Sequence, residues 1–261
     1  MYMIVLAAGR GTRLSPLTDA SPKCLVKVGD RALLDWQLQV ARESDIRDIA
    51  IVRGHMHSEI NHRDVTYFEN PAYDTTNMVE TLWCAESVFA NGFIVSYGDI
   101  IYESTVLQRL LDAQHSVSVV IDQGWQTYWE QRFDNVLLDA ETLQVDAVGR
   151  ISSIGQQPES MGQINGQYIG LMAFRAEGVA VLRAVYEQAR QEAGNGRHPL
   201  RGQRLFHELY MTDIIQGIID TGFPVHQVPV QRGWLEIDTL IDLKLANRLV
   251  KIRDNSLVIT Q

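Results

Sequence analysis

The sequence begins with an apolar stretch that leads into a loop of glycines and cations. Residues 6–14 read LAAGRGTRL, and small side chains here let a ligand approach the backbone, whose successive N–H groups can bind phosphate. The glycine pair alone is also compatible with a tight strand–helix turn, because it lacks the third glycine of dinucleotide loops and the GK[ST] of a P-loop. Two cations strengthen the phosphate-binding interpretation, because the guanidinium of Arg13 can make a forked contact with phosphate oxygens and the ammonium of Lys23 can act as a point charge. The candidate phosphate-binding residues are Leu6, Ala7, Ala8, Gly9, Gly11, Thr12, Arg13 and Lys23.

Three carboxylates follow apolar stretches that are typical of strands. Asp99 ends the segment VSYGD, and Glu236 and Asp238 lie within WLEIDT. Ligands of an open α/β sheet bind beyond the carboxyl ends of its strands, so these side chains could meet a substrate or a cation. An aspartate at a strand end is also a common turn or N-cap residue. For Asp238, which precedes Thr239 and a predicted helix, this alternative stays open.

Strand and helix patterns alternate through the first half of the chain and would position these residues. Apolar runs at Tyr2–Ala7 and Gly92–Tyr97 predict buried parallel strands, and the apolar residues of Ala32–Ala41 predict a helix. The alternation predicts an α/β fold with a Rossmann-like, mostly parallel sheet flanked by helices. Residues 122–166 break this rhythm with short, polar, hairpin-like pieces. We interpret them as a substrate-side insertion in a single domain that spans residues 1–261.

Composition excludes several classes of protein. The chain has 261 residues, of which 46% are hydrophobic and 21% charged, so an ordinary globular core can form. Its net charge of -9 argues against a nucleic-acid-binding protein. No apolar run approaches the roughly 18 residues of a membrane span, and the N-terminus lacks signal-peptide features, so we expect a cytoplasmic protein. Cys24 and Cys84 form no zinc framework, and we expect free thiols.

The segment LAAGRGTRLSPLTDASPKCLVKVGDRALLDWQ resembles the signature of nucleotidyltransferases that activate sugar 1-phosphates and phosphocholine. The pattern in that family is LAAGxGxRxxPxTxxxPKxLxxxxxxPLL, and this chain departs from it at residues 31–32, where the family usually has a proline. The resemblance implies that the loop binds a triphosphate through the catalytic cations Arg13 and Lys23. It also implies that Asp99 and Asp238 hold a catalytic Mg²⁺.

Further strings resemble the cytidylyltransferase branch of this family. Residues 69–82, ENPAYDTTNMVETL, are similar to the NP-x-Y-x-x-x-N segment of phosphocholine cytidylyltransferases. By this similarity, Asn77 of this chain would contact the base or cap the next helix. VIDQGWQTYWEQRFDN, GQYIGLMAF and LYMTDIIQ resemble cytidylyltransferases that act on phosphonates or phosphoglutamine. The resemblance implies that CMP passes from CTP to a small anionic phospho- or phosphono-acceptor and that pyrophosphate is released.

The aromatic residues of the insertion are candidates for acceptor binding. Their rings could stack on a cationic amine, and a nearby arginine could bind the acceptor's anion, although rings packed on the sheet are the alternative. Glu236 could contact the acceptor or act as a third metal ligand. The arginine-bearing loop Gly194–Gly202, together with Arg204, is either a second acceptor site or a solvated surface loop. The candidate acceptor-binding residues are Trp125, Tyr128, Trp129, Arg132 and Glu236.

Two other functions remain open at this stage. A sugar-1-phosphate nucleotidyltransferase would use the same chemistry on another acceptor, but the base-reading loop typical of that branch is missing. A nucleotide-binding regulatory domain would have lost catalysis, which the intact cations and aspartates argue against. The sequence leaves the identity of the acceptor and the oligomeric state open.

Overall fold

The structure, a computed structural model, describes residues 1–90, 92–201 and 204–260. Its helices and strands alternate through the first half of the chain, as the apolar patterns predict. The α-helices of the described residues are α1 (Leu33–Glu43), α2 (Met78–Trp83), α3 (Ser104–Asp112), α4 (Trp125–Arg132), α5 (Glu177–Gly194), α6 (Met211–Asp220) and α7 (Leu240–Leu249). The strands are β1 (Tyr2–Ala7), β2 (Lys27–Val28), β3 (Arg31–Ala32), β4 (Ile49–Arg53), β5 (Thr66–Glu69), β6 (Gly92–Tyr97), β7 (Ile100–Tyr102), β8 (Val117–Asp122), β9 (Leu143–Val145), β10 (Ile151–Ile154), β11 (Gln167–Arg175), β12 (His226–Val230), β13 (Trp234–Glu236), β14 (Val250–Arg253) and β15 (Ser256–Ile259).

A seven-stranded sheet forms the centre of the molecule, in the order β12-β8-β11-β6-β1-β4-β5. Strand β1 lies between β4 and β6 and runs parallel to both. Strand β11 runs antiparallel to its two neighbours, β6 and β8. The predicted α/β fold with a mostly parallel sheet is therefore confirmed.

Two hydrophobic cores cover the two faces of this sheet. Side chains alternate between the faces of a strand, so Met3 and Val5 of β1 pack in one core and Ile4 and Leu6 in the other. Helices α1, α3, α4 and α7 cover the first face, and α2, α5 and α6 cover the second. Because β1 is buried on both sides, the loop that follows it is held firmly at its start.

The segment between β8 and β11, where we predict the insertion, contains helix α4 and the β9–β10 hairpin. Helix α4 replaces the hairpin-like piece expected at its start. Before the insertion, α2 ends at Trp83 and a short 3-10 helix follows at Glu86–Val88. No helix among the described residues is long and apolar enough to cross a membrane. Cys24 and Cys84 are free thiols, as expected.

Candidate active site

A cavity of about 350 Å³ opens at the carboxyl ends of β1 and β6, the edge at which an open α/β sheet binds ligands. It brings together the glycine loop, the start of α2 and the predicted carboxylates. Every candidate phosphate-binding residue named from the sequence lines it. The lining residues are Leu6, Ala7, Ala8, Gly9, Gly11, Thr12, Arg13, Lys23, Cys24, Tyr73, Thr76, Asn77, Met78, Thr81, Tyr97, Gly98, Asp99, Glu236 and Asp238.

The glycine loop is shaped so that Lys23 can pass beneath it. Gly11 has a φ of 65°, and a Cβ atom built on it would lie 2.8 Å from Cβ of Lys23. A larger residue would therefore be strained and would also collide with the lysine. Thr18 stabilises the turn because its hydroxyl donates a 2.8 Å hydrogen bond to the Gly11 carbonyl.

Lys23 joins the two aspartates that the sequence singled out. Its Nζ lies 2.6 Å from Oδ2 of Asp99 and also bonds Oδ1 of Asp238, although these residues are 76 and 215 positions away along the chain. Burial lowers the pKa of Lys23, but the two carboxylates outweigh it and raise the pKa above its ordinary value, so the ammonium stays charged. Arg13, whose side chain is 64% exposed, forms an ion pair with Asp238 from the solvent side.

Asp99 is held in place by a buried glutamine. It lies in the turn between β6 and β7, and Gln37 of α1 donates hydrogen bonds of 2.9 and 2.8 Å to the carbonyls of Tyr97 and Ile100 on either side. The carbonyl of Asp99 accepts a 2.9 Å hydrogen bond from the N–H of Ile237, which continues the β7–β13 pairing. The segments that carry Asp99 and Asp238 are therefore bonded directly to each other.

Asp238 follows β13, and its carboxylate is available to the cavity because another residue caps the next helix. Thr239 is the N-cap of α7 and forms a reciprocal capping box with Asp242. The carboxylate of Asp242 also accepts hydrogen bonds from the N–H groups of Asp238 and Thr239, at 3.1 and 2.8 Å. The alternative that Asp238 serves as the cap does not apply.

Asn77 caps a helix and also faces the cavity. It is the N-cap of α2, with its side chain accepting a 3.0 Å hydrogen bond from the N–H of Met78, and it also lines the cavity. A second asparagine, Asn70, organises the loop before it by donating hydrogen bonds to the hydroxyls of Thr76 and Thr81, at 2.9 and 3.0 Å. The sequence analysis overlooked Asn70, which is buried although it precedes Pro71 in a turn.

The aromatic residues of the insertion lie in the core and not on the cavity wall. Trp125, Tyr128 and Trp129 are buried, and Tyr128 and Trp129 pack against Trp234 of β13. This corrects the expectation of an aromatic surface that stacks on the acceptor. The sequence contained the signal: positions 125, 128, 129 and 132 have the i, i+3, i+4, i+7 spacing of one buried helix face.

Arg132 also lies away from the cavity, and its guanidinium pairs with two carboxylates. It contacts Glu236 Oε2 and Asp242 Oδ1, each at 2.8 Å. Of these residues, Glu236 lines the cavity. Burial raises the pKa of Glu236 to about 7, against the opposing effect of Arg132. The predicted acceptor residues thus divide into one that reaches the cavity and four that lie behind it.

The second possible acceptor site lies elsewhere. Arg201 pairs with Asp220 and Arg204 with Asp213, each at 2.9 Å, and neither arginine lines the cavity. Gly202, at the end of that loop, lies outside the described residues. These ion pairs attach the loop to α6.

The donor set around Asp99 and Asp238 fits a hard cation such as Mg²⁺. Both side chains offer carboxylate oxygens, and Oδ1 of Asp99 is buried without a hydrogen-bond partner among the described residues. The described residues contain no group of three or more His, Cys, Asp or Glu side chains arranged to hold a metal. Magnesium commonly takes one or two carboxylates and completes its shell with waters and substrate phosphates, so two aspartates are sufficient.

The fold and this cavity define a nucleotidyltransferase. Residues 3–191 match the MobA-like NTP transferase domain, and the chain belongs to that family. It is 33% identical to the CTP:phosphoglutamine cytidylyltransferase of Campylobacter jejuni over 94% of this chain and 98% of that protein. It is 23% identical to the 2-aminoethylphosphonate cytidylyltransferase of Lancefieldella rimae over 92% and 89%. The structure of the CTP:phosphocholine cytidylyltransferase of Streptococcus pneumoniae superposes with a TM-score of 0.67 at 19% identity, covering 95% of this chain and 98% of that one, which shows a shared fold.

Proposed function

We propose that this chain is a Mg²⁺-dependent cytidylyltransferase that transfers CMP from CTP to a small phosphorylated or phosphonylated acceptor and releases pyrophosphate. The observation that carries the proposal is the meeting of Lys23, Asp99 and Asp238 beside the glycine loop in one cavity. The similarity to a phosphoglutamine cytidylyltransferase along nearly the whole chain supports the choice of CTP and of the acceptor class.

The cavity suggests how the substrates lie. The backbone of residues 8–12 faces the triphosphate, and Arg13 and Lys23 neutralise its oxygens. Asn77, which also lines the cavity, is our candidate for the contact with the cytosine base, because its amide offers both a donor and an acceptor. Glu236 is our candidate for the contact with the acceptor, because its carboxylate could bind the ammonium group of an amino-phosphonate or an amino acid phosphate.

The reaction then needs positioning and charge stabilisation. An oxygen of the acceptor attacks the α-phosphorus of CTP, a new P–O bond forms, and the bond to the bridging oxygen of the β-phosphate breaks as pyrophosphate leaves. The attacking phosphate or phosphonate is already ionised at neutral pH, so no general base is required. Lys23 stabilises the charge that builds on the phosphate oxygens.

Asp99 and Asp238 would hold the Mg²⁺ that nucleotidyltransferases of this type typically use. When bound, the ion supplies positive charge to the α-phosphate and to the leaving pyrophosphate. The Asp99 Oδ1 atom supports this assignment because a buried carboxylate oxygen without a partner is costly unless a ligand satisfies it.

A pyrophosphate-release assay with a matrix of substrates tests this proposal. CTP, UTP, dTTP, ATP and GTP are each combined with phosphocholine, 2-aminoethylphosphonate, phosphoglutamine and glucose 1-phosphate, in Mg²⁺ and in EDTA. We expect turnover with CTP and one of the first three acceptors, only in Mg²⁺. Preference for glucose 1-phosphate would identify a sugar-1-phosphate nucleotidyltransferase instead. Tight CTP binding without turnover on any acceptor would support a regulatory domain.

A further inference from the structure

We propose that Tyr128 and Arg132 of α4 are positioning residues that fix the segment Glu236–Asp238, so that the insertion sets the geometry of the cation site. This inference rests on the proposed function, because it assumes that Asp238 and Asp99 share a Mg²⁺. Neither Tyr128 nor Arg132 lines the cavity. Their contribution therefore passes through the residues they contact.

Tyr128 takes the place of a missing neighbour strand. Across the β7–β13 ladder the N–H of Ile237 points to Asp99, and backbone groups alternate in direction along a strand, so the N–H and carbonyl of Glu236 point away from β7. The Tyr128 hydroxyl satisfies both: it donates to the Glu236 carbonyl at 3.1 Å and accepts from the Glu236 N–H at 3.0 Å. One buried hydroxyl thus fixes the backbone two residues before Asp238.

Arg132 fixes the same segment from its other end. Its Nε donates a 2.8 Å hydrogen bond to Oδ1 of Asp242, whose other oxygen accepts the N–H of Asp238. Its Nη2 meanwhile pairs with Glu236 at 2.8 Å. The side chains of Arg132 and Asp242 are each 2% exposed, so little water competes for these bonds. Glu236 and Asp238 are consequently attached to α4 through one guanidinium.

The two contacts explain why the aromatic face of α4 also carries a hydroxyl and a guanidinium. If α4 served only for packing, the rings of Trp125 and Trp129 would be sufficient. The Tyr128 hydroxyl and the Arg132 guanidinium would then be buried without hydrogen-bond partners, which costs free energy. Here both polar groups point at the carboxylate-bearing segment. Partners of this kind, which orient metal ligands without touching the metal, typically change metal affinity about 10–100-fold when they are removed.

The test measures how much Mg²⁺ strengthens nucleotide binding. Titration calorimetry with α,β-methylene-CTP, which cannot release pyrophosphate, gives one dissociation constant in excess Mg²⁺ and one in EDTA. The key variant is Tyr128→Phe, which removes the hydroxyl and keeps the ring. The matched control is Tyr186→Phe, which also loses a buried hydroxyl, but one that bonds Glu80 at 2.8 Å, outside this segment.

The ratio of the dissociation constant in EDTA to that in Mg²⁺ measures how much the ion strengthens nucleotide binding. We expect Tyr128→Phe to lower this ratio about tenfold, while the dissociation constant in EDTA stays within about twofold of wild type. Tyr186→Phe should keep the wild-type ratio with a similar loss in melting temperature. A ratio for Tyr128→Phe equal to that of Tyr186→Phe would overturn the positioning role, as would a wild type that gains nothing from Mg²⁺.

Arg132→Lys examines the second contact, because it keeps the charge and loses the planar fork. A reduced Mg²⁺ ratio supports the proposal, and an unchanged ratio overturns it for Arg132. Because the titration needs no acceptor, it is independent of the substrate matrix. If the wild type releases no pyrophosphate but the ratios change as expected, the proposed function fails and the positioning role stands.

Discussion

Replacement of Lys23 by methionine should affect both the stability and the activity of the protein, and only the loss of stability should be reversed by Mg²⁺. The side chain of Lys23 is 13% exposed, and its ammonium neutralises Asp99 and Asp238 at once. Methionine has a similar length without the charge. Without the ammonium the two carboxylates lose the cation between them, and Asp238 keeps its ion pair with the exposed Arg13.

The magnitude follows from the burial of the three groups. Breaking a fully buried ion pair costs about 3–5 kcal/mol, and the lower end applies here because the cavity admits water. For a chain of this size about 3 kcal/mol lowers the melting temperature by roughly 6–12 °C. A cation that binds the freed carboxylates and is present at a concentration of about 100 times its dissociation constant stabilises the folded state by about 2.7 kcal/mol, which is nearly the whole loss.

The assay is thermal unfolding of wild type, Lys23→Met and the control Lys27→Met, each in EDTA and in Mg²⁺. Lys27 is exposed, so its removal should change little. We expect Lys23→Met to melt early in EDTA and to gain more from Mg²⁺ than wild type, whose lysine already neutralises part of the carboxylate charge. The kcat/KM of Lys23→Met should stay about 10²–10³-fold below that of wild type even in Mg²⁺, because one charge that stabilises the phosphates is missing.

Two results would refute this reasoning. If Lys23→Met has the same melting temperature as Lys27→Met in EDTA, Lys23 does not neutralise the aspartates in solution. If its kcat/KM with the best acceptor lies within a few-fold of wild type, Lys23 has no part in catalysis.

Three further predictions follow from the contacts. Asp99→Asn and Asp238→Asn should each remove most turnover at saturating CTP, and a fully active variant would exclude that residue from the metal site. Trp129→Ala should cost about 3–5 kcal/mol of stability in thermal unfolding and shift the KM values of CTP and acceptor together, since the ring is core; a rise in the acceptor KM alone at unchanged melting temperature would contradict its burial. Iodoacetamide at mildly alkaline pH should alkylate Cys84 before Cys24, because burial raises the pKa of the Cys24 thiol to about 12, and peptide mass mapping that finds Cys24 modified first would count against the buried thiol.

The parts of the site that the sequence predicts are those whose chemistry is local. The glycine loop follows directly from the end of a buried strand, and the carboxylates follow strands whose carboxyl ends must meet at one edge. These rules predicted ligand contacts at that edge, and the family resemblance implied that Lys23, Asp99 and Asp238 share a site. They did not predict that Lys23 bonds both aspartates, which is the contact that makes its substitution costly for stability.

The insertion was misjudged because residue type was given more weight than residue spacing. Tryptophan and tyrosine suit an amine-binding surface, but their spacing along residues 125–132 is that of a buried helix face. The polar supports could not be found from sequence at all. Gln37 satisfies the carbonyls of Tyr97 and Ile100, and nothing local to α1 identifies partners that lie about 60 residues away, as the separations of 60 and 63 positions show.

These supports also explain how one chain assembles a site from distant segments. Residues 3–191 match the family, yet Asp238 lies beyond that range. It lies beside Asp99 because β13 pairs with β7 and because the N–H of Ile237 donates to the Asp99 carbonyl, so this short ladder places the last carboxylate. A three-residue ladder is weak by itself. The contacts from α4 therefore matter for chemistry as well as for packing, because they hold the carboxylate-bearing segment against β7 and give the two aspartates a fixed separation.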